Sequence, residues 1–223
     1  MRAKQLQLKL PNTHGGARKG AGRPNLSGLQ AHVRRPRLES RHPVHVTLKL
    51  RSGLPSLRGK AAFRCLREAV KTARKQGLHV VHFAVLSNHI HLILEPRQHA
   101  TLGGVFQSLG ISFSKRLNAF LKRSGAVFAD RYHLRVLRTP RETRNAIHYV
   151  LANFGKHTGT NVIRMDPFSS AFQFQGWRKL RAGPLVFETT AWSEQGLEVW
   201  LREILSSPKT WLLRTGWEKS STT

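Results

Sequence analysis

Four short segments of the chain have the apolar pattern of β-strands. Residues 44–50 alternate apolar and polar side chains and are rich in β-branched residues. Residues 79–86 and 89–95 are apolar runs separated by a turn dipeptide, and residues 127–137 form a more basic fourth segment. The second and third runs are close enough along the chain to pair as a hairpin.

Three longer segments repeat apolar residues at spacings of three and four, as amphipathic helices do. They cover residues 60–77, 102–123 and 141–156, and Thr139-Pro140 is a start signal for the last helix. The order β-α-β-β-α-β-α predicts an α+β fold. We expect a ferredoxin-like split βαβ with an antiparallel sheet and helices on one face.

Composition divides the chain into three parts. Residues 1–40 are rich in Gly, Arg and Pro and have no apolar period, which predicts a flexible basic DNA-binding arm. Residues 41–157 contain the strands and helices described above. Residues 158–223 contain all five tryptophans and predict a helical C-terminal extension docked on the body, with a hairpin-clamping or partner-binding subdomain as the alternative.

Basic residues greatly outnumber acidic ones. Lys and Arg number 38 against 11 Asp and Glu, so the 223 residues carry a formal net charge of +27. Such an excess is typical of proteins that bind nucleic acid, and a ribosomal or chromatin-like protein would share it. Asp130 and Asp166 are the two aspartates, so a site with three carboxylates and two metal ions would be hard to assemble.

The sequence also indicates the compartment. No apolar run approaches the length of a membrane span, and the first ten residues lack the apolar core of a signal peptide. The chain has one cysteine, Cys65, which excludes an internal disulfide framework and a multi-cysteine zinc site. We therefore expect a cytoplasmic protein with no membrane partner.

Gly22-Arg23-Pro24 in the basic arm resembles an AT-hook, an extended element that enters the minor groove of A·T-rich duplex. Arg18 and Lys19 precede it. The alternative is a solvated basic tail that holds any phosphate backbone.

His89-Ile90-His91 is the first candidate for chemistry. Alternate side chains of a strand share a face, so the two imidazoles would project together and could bind one divalent ion. The alternative is a pair of ordinary surface or packed histidines. A zinc hydrolase would need a further ligand and a general base, and Glu95 on the same strand face lies about 13 Å from His91 at standard strand rise.

Tyr149 is the second candidate. It lies beside the apolar stripe of the last helix, and Asn153 follows one turn later. The commoner use of such a tyrosine is at the edge of a core with its hydroxyl hydrogen-bonded. The residues before it include a series of arginines, which could form a solvated surface or a phosphate track: Arg131, Arg135, Arg138, Arg141 and Arg144.

Together these segments resemble the single-tyrosine HUH transposases, and most closely the REP-associated tyrosine transposases. Residues 83–95 are similar to that family's His-hydrophobic-His strand with its Asn lead-in, and residues 127–133 to the following strand. Residues 149–153 have the Tyr and Asn spacing of its nucleophile helix, and residues 15–24 are similar to an arm found in relatives. Many relatives have Pro after the asparagine, where this chain has Phe154.

The resemblance implies that Tyr149 attacks single-stranded DNA near hairpin-forming repeats and forms a 5′-phosphotyrosine. It implies that His89, His91 and Asn153 hold one Mg²⁺ or Mn²⁺. It also implies a bacterial, nucleoid-associated protein that acts as a monomer or homodimer. The DNA contacts would come from the arm and the basic body: Arg18, Lys19, Arg23, Arg131, Arg135, Arg138, Arg141, Arg144 and Lys156. The alternative is a catalytically idle nucleic-acid-binding protein of the same fold.

Overall fold

The main sheet has four strands, and all of its pairings are antiparallel. They are β1 (Val44–Lys49), β2 (Val80–Val85), β3 (His89–Leu94) and β4 (His133–Val136). Their order is β2-β3-β1-β4, so β1 and β3 are central although the first helix and β2 separate them in sequence. This is the strand order of a ferredoxin-like split βαβ fold, and it confirms the predicted fold class. The computed structural model describes residues 38–96, 102–157, 163–180, 185–187 and 201–219.

Three long helices accompany the sheet: α1 (Lys60–Lys75), α2 (Leu102–Phe120) and α3 (Pro140–His157). The predicted helices agree with them to within a few residues. Gly77 follows α1 with a φ of 102°, and the Leu78 amide donates to the Ala73 carbonyl, so a left-handed glycine ends the helix as predicted.

Helices α1 and α2 pack on one face of the sheet. That face presents the alternate apolar residues of β1 and β3, including Val46 and Leu92, and Phe63 and Phe113 of the helices are buried against it. Ile90 belongs to the same core, as its place between two outward-facing histidines predicts. Burial of each such side chain contributes roughly 1.5–3 kcal/mol.

Helix α3 lies on the opposite face. The expectation of helices on one face therefore holds for α1 and α2 but not for α3. The reason is that this second face also carries apolar residues, among them Ala84 and Ile93, and these pack with Ile147 and Val150 of α3 in a separate core. The polar positions of β1 and β3 lie on this same face, beside α3.

A capping box begins α3. The Thr139 hydroxyl accepts the Glu142 amide at 3.2 Å, and the Glu142 carboxylate accepts the Thr139 amide at 3.2 Å, while Pro140 occupies the first helical position. The carboxylate also accepts the Arg138 amide, and this bond lowers the pKa of Glu142 below its ordinary value. The first turn of α3 is thereby held against the end of β4.

The fourth strand is shorter than predicted. Only residues 133–136 of the segment 127–137 form the strand, and Phe128 makes an isolated bridge with Leu50. The intervening residues bend, and Tyr132 turns inward to stack on Phe106 with 4.3 Å between ring centroids.

The described parts of the C-terminal extension pack on both sides of the sheet. They comprise a parallel pair, β5 (Ile163–Met165) and β6 (Leu185–Phe187), and two one-turn helices, α4 (Trp177–Leu180) and α5 (Trp211–Arg214). Trp177 and Trp217 belong to the core under α3, whereas Leu201 and Ile204 belong to the core that α1 and α2 form. Trp211 is exposed.

Residues 201–204 are helical with Leu201 and Ile204 buried, which agrees with the end of the predicted tail helix. Trp192, Trp200 and the basic arm up to residue 37 lie outside the described residues. Among the described helices, none combines the length and the apolar character that crossing a membrane would require.

A candidate active site between the sheet and helix α3

The two histidines of the His-Ile-His segment lie side by side on the α3 face of the sheet. Their ring centroids are 4.9 Å apart and the rings are perpendicular. His91 is 3% exposed and His89 is half-buried. The predicted shared face is therefore observed.

Nδ1 of each ring lies within hydrogen-bonding distance of a neighbouring side chain. Nδ1 of His89 is 2.7 Å from the Asn88 Oδ1, and because an amide oxygen only accepts, this nitrogen carries the proton. Nδ1 of His91 is 3.1 Å from the Thr47 hydroxyl and 3.2 Å from Nε2 of His45. The coordinating nitrogen of each ring toward a metal would consequently be Nε2.

His45 was not anticipated as a site residue. It lies on β1, and its ring centroid is 5.3 Å from that of His91. Burial, together with the nearby charges of His133 and Arg135, lowers the pKa of His45 to about 4, so the ring is neutral near pH 7. The alternation of residues 44–50 placed His45 and Thr47 on one strand face, but it did not reveal that β1 pairs with β3.

Tyr149 projects from α3 onto this group. Its ring centroid is 5.1 Å from His91 with an interplanar angle of 81°, and 5.9 Å from His45. The residue is 40% exposed, so the phenol is reachable from solvent while one edge of its ring contacts the imidazoles. The buried neighbours Ile147 and Val150 anchor the helix and so determine which side of it carries Tyr149.

A cleft of about 770 Å³ opens beside these rings, between β1, β4 and the first turns of α3. His45, His91 and Tyr149 form part of its wall. The remaining polar lining includes several groups that are cationic or that donate hydrogen bonds: His133, Arg135, Arg141, Asn145 and His148. This lining suits an anionic ligand such as a phosphodiester.

Comparisons with known proteins address the fold. No family profile and no curated protein matches this chain. A solved REP-associated tyrosine transposase bound to a REP hairpin is similar with a TM-score of 0.57 and 17% identity, over 74% of this chain and 96% of that one. This chain shares the fold of that solved structure. A candidate transposase from Deinococcus radiodurans matches more distantly, with a TM-score of 0.39 and 16% identity over 56% of this chain and 97% of that one.

Tyr149 and the two histidines lie on the same side of the sheet because α3 packs on the face that carries the histidines of β3. Asn153, the third predicted ligand, is one helical turn beyond Tyr149 and 2% exposed. Its amide nitrogen has no hydrogen-bond partner among the described residues. Within those same residues no cluster of three His, Cys, Asp or Glu could hold a metal ion.

The predicted arginines separate into two groups. Arg135 and Arg141 line the cleft, and Arg135 also pairs with Glu142 at 3.2 Å. Arg131 and Arg138 are exposed elsewhere, and Arg144 is half-buried. Lys156 is in the last turns of α3 with its side chain outside the description, and Arg18, Lys19 and Arg23 fall in the undescribed residues 1–37.

Glu95 serves a different purpose from that of a hydrolase base. Its buried carboxylate accepts the amides of Lys209 and Thr210, at 2.9 and 2.7 Å, and the Thr210 hydroxyl at 2.8 Å. It therefore ties the C-terminal extension to the end of β3. This engagement speaks against the zinc hydrolase alternative, which would need a further ligand and a general base beside the histidine pair.

Proposed function

We propose that this protein is a metal-dependent endonuclease and strand transferase acting on single-stranded DNA, with Tyr149 as its nucleophile. The observation that carries the proposal is the edge contact between the Tyr149 and His91 rings, with 5.1 Å between their centroids. The similar transposase was solved bound to a REP hairpin, and this supports DNA with a hairpin as the substrate class.

The proposed site would hold a single divalent cation. His89 and His91 would bind through Nε2, since Nδ1 of each ring has a neighbouring partner, and Asn153 would add an amide oxygen. Two imidazoles and one amide suit Mn²⁺ and leave positions for phosphate oxygens, and Mg²⁺ is the alternative. The chemistry that a bound ion supplies is polarisation of the scissile phosphate and partial neutralisation of its developing charge.

Tyr149 would attack the scissile phosphorus with its phenolic oxygen. The new bond joins the tyrosine to the 5′-phosphate, the bond to the 3′-oxygen breaks, and the phenol proton ends on that 3′-oxygen. Attack by a second 3′-hydroxyl reverses the exchange, joins two strands and restores the phenol. Because the covalent intermediate retains the phosphodiester bond energy, no nucleotide cofactor is needed.

The cleft would hold the strand next to the scissile phosphate. Arg135 and Arg141 lie on its wall near Tyr149, and their forked guanidinium groups can bind phosphate oxygens in pairs. The net charge of +27 favours binding of the rest of a DNA hairpin. Arg18, Lys19 and Arg23 of the arm are proposed to hold its stem.

One experiment tests the proposal. The protein is incubated with end-labelled single-stranded DNA that carries a hairpin, in Mn²⁺ or Mg²⁺, and a protease-sensitive covalent adduct is sought. Tyr149→Phe should abolish the adduct and leave DNA binding intact. Tyr132→Phe is the matched control, because the Tyr132 ring stacks on Phe106 in the core on the other face of the sheet, and this variant should form the adduct.

Two results would overturn the proposal. An adduct of parental yield with Tyr149→Phe would remove Tyr149 as the nucleophile. Tight hairpin binding by the parent without any adduct, under all metal conditions, would indicate the catalytically idle nucleic-acid-binding protein instead.

A further inference from the structure

We infer that His45 is a positioning residue that holds His91 in the orientation and tautomer in which its Nε2 can bind a divalent cation. The inference extends the proposed function, because it rests on the metal site described there. It assigns a role to a residue of β1 that lies far in sequence from both the histidine pair and the tyrosine.

The strand register brings the two histidines together. Thr47 of β1 lies opposite His91 of β3, and His45 lies opposite Ile93, so both side chains of β1 point to the same face as His91. The Thr47 hydroxyl lies 3.1 Å from Nδ1 of His91, and Nε2 of His45 lies 3.2 Å from the same atom. Because His91 is only 3% exposed, the ring has little freedom to turn away from these contacts.

The chemistry of imidazole determines which ring donates and which accepts in the hydrogen bond between His45 and His91. A ring nitrogen that binds a metal carries no proton, so the proton of a neutral metal-binding ring is on the other nitrogen. If Nε2 of His91 binds the cation, Nδ1 must donate. The Thr47 hydroxyl can accept or donate. In the proposed arrangement the neutral His45 ring carries its proton on Nδ1, so its unprotonated Nε2 accepts from His91 and favours the required tautomer.

Outer partners of this kind are a general feature of metal sites. A metal-binding histidine almost always donates its second nitrogen to a neighbouring group, and loss of that group weakens metal binding about ten- to hundredfold. For His89 the corresponding partner is Asn88, which immediately precedes it in sequence. For His91 the proposed partner is His45, which lies on the neighbouring strand β1.

The His45 ring also contacts the Tyr149 ring, with 5.9 Å between centroids. A change at residue 45 could therefore alter activity through the tyrosine alone. The test must measure the metal site without the reaction.

The experiment measures Mn²⁺ binding to the full-length protein without DNA, from the loss of the free-ion signal in electron paramagnetic resonance. His45→Leu fills the space without an acceptor and should weaken binding about ten- to hundredfold. His45→Gln can place a polar atom near the position of Nε2 and should restore most of the affinity. His42→Gln changes a half-buried histidine outside the cleft and should bind as the parent does.

Parental Mn²⁺ affinity in a folded His45→Leu protein would overturn the inference, as would a His45→Gln protein as weak as His45→Leu. Absence of Mn²⁺ binding in the parent would instead overturn the metal site of the proposed function. A second measurement covers a His45→Leu protein that does not fold. Long-range ¹⁵N–¹H spectra of the parent should show His91 protonated on Nδ1, and protonation on Nε2 would refute the positioning role.

Discussion

The ring of Tyr149 on helix α3 lies edge-on to the ring of His91 on strand β3, with 5.1 Å between their centroids. This contact joins the two segments on which any covalent chemistry would depend. It exists because α3 packs on the sheet face that carries the histidines, opposite to α1 and α2. The Tyr149 residue is 40% exposed, so it is accessible from the cleft side to a ligand such as the proposed DNA strand.

The Asn153→Ala variant tests whether Asn153 binds the metal ion or only supports the fold. The Asn153 amide nitrogen is buried without a partner among the described residues, so its removal should change the free energy of unfolding by no more than about 1 kcal/mol. Mn²⁺ affinity should fall on the order of tenfold or more, as for His89→Ala measured in parallel. Urea unfolding and metal titration check the two values, and unchanged affinity would exclude Asn153 from the site.

Arg141→Ala tests the cleft as a DNA surface. Arg141 is a better choice than Arg135, because Arg135 also pairs with Glu142 and its loss would disturb the start of α3. Affinity for single-stranded DNA should fall, and the slope of log affinity against log salt should decrease by about 0.7 for one lost phosphate contact. Arg178→Ala, which removes an exposed arginine of α4, is the control. An equal loss in both variants would show a general charge effect.

Deletion of residues 1–37 tests the basic arm. Hairpin affinity should fall, and the salt slope should decrease by about 0.9 for each duplex phosphate contact that is lost. Cleavage at saturating DNA should persist, because the tyrosine and both histidines are retained in the body. Fluorescence anisotropy at several salt concentrations measures the slope, and a slope equal to that of the full chain would show that the arm does not contact DNA.

Stability should decrease as the pH falls from about 6.5 to about 4. Burial lowers the pKa of His45 and His82 to about 4 from an ordinary 6.5, so across this range the unfolded chain binds protons that the folded chain does not. The stabilising contribution is complete above pH 6.5 and is lost as the pH falls toward 4, by at most about 1.4 kcal/mol per pH unit for each histidine.

Urea midpoints across this pH range measure the effect. His82→Gln should flatten the dependence, because it removes one of the two buried titrating groups while leaving the cleft intact. His42→Gln should leave the dependence unchanged. A parental midpoint that does not vary over this range would contradict the assignment of neutral, buried rings.

The candidate site was only partly predictable. The two imidazoles on one strand face follow from the period of two along β3, and Tyr149 beside an apolar stripe follows from helical spacing. His45 and His133 could not be found in this way, because their closeness to His91 and Tyr149 depends on the pairing of β1 with both β3 and β4. Such pairings join segments far apart in the chain, and local periodicity does not encode them.

The role of Glu95 was also not predictable from local sequence. The alternation along β3 predicted that Glu95 shares a face with His89 and His91, and the structure shows that its carboxylate accepts the backbone amides of residues 209 and 210. An acid on a strand can be a base, a ligand or a cap. Which of these it becomes depends on the segment that packs against it.

The sequence by itself determined the element order, the helix ends, the shared face of the histidine pair and the resemblance to a transposase, because these depend on spacings within single segments. Only the tertiary structure decided that α3 covers the second face of the sheet, that Tyr149 contacts His91 and that His45 also contacts His91. The physical reason is that both faces of this sheet carry apolar residues that must be buried. The choice of which helix buries which face is made by packing across the whole domain.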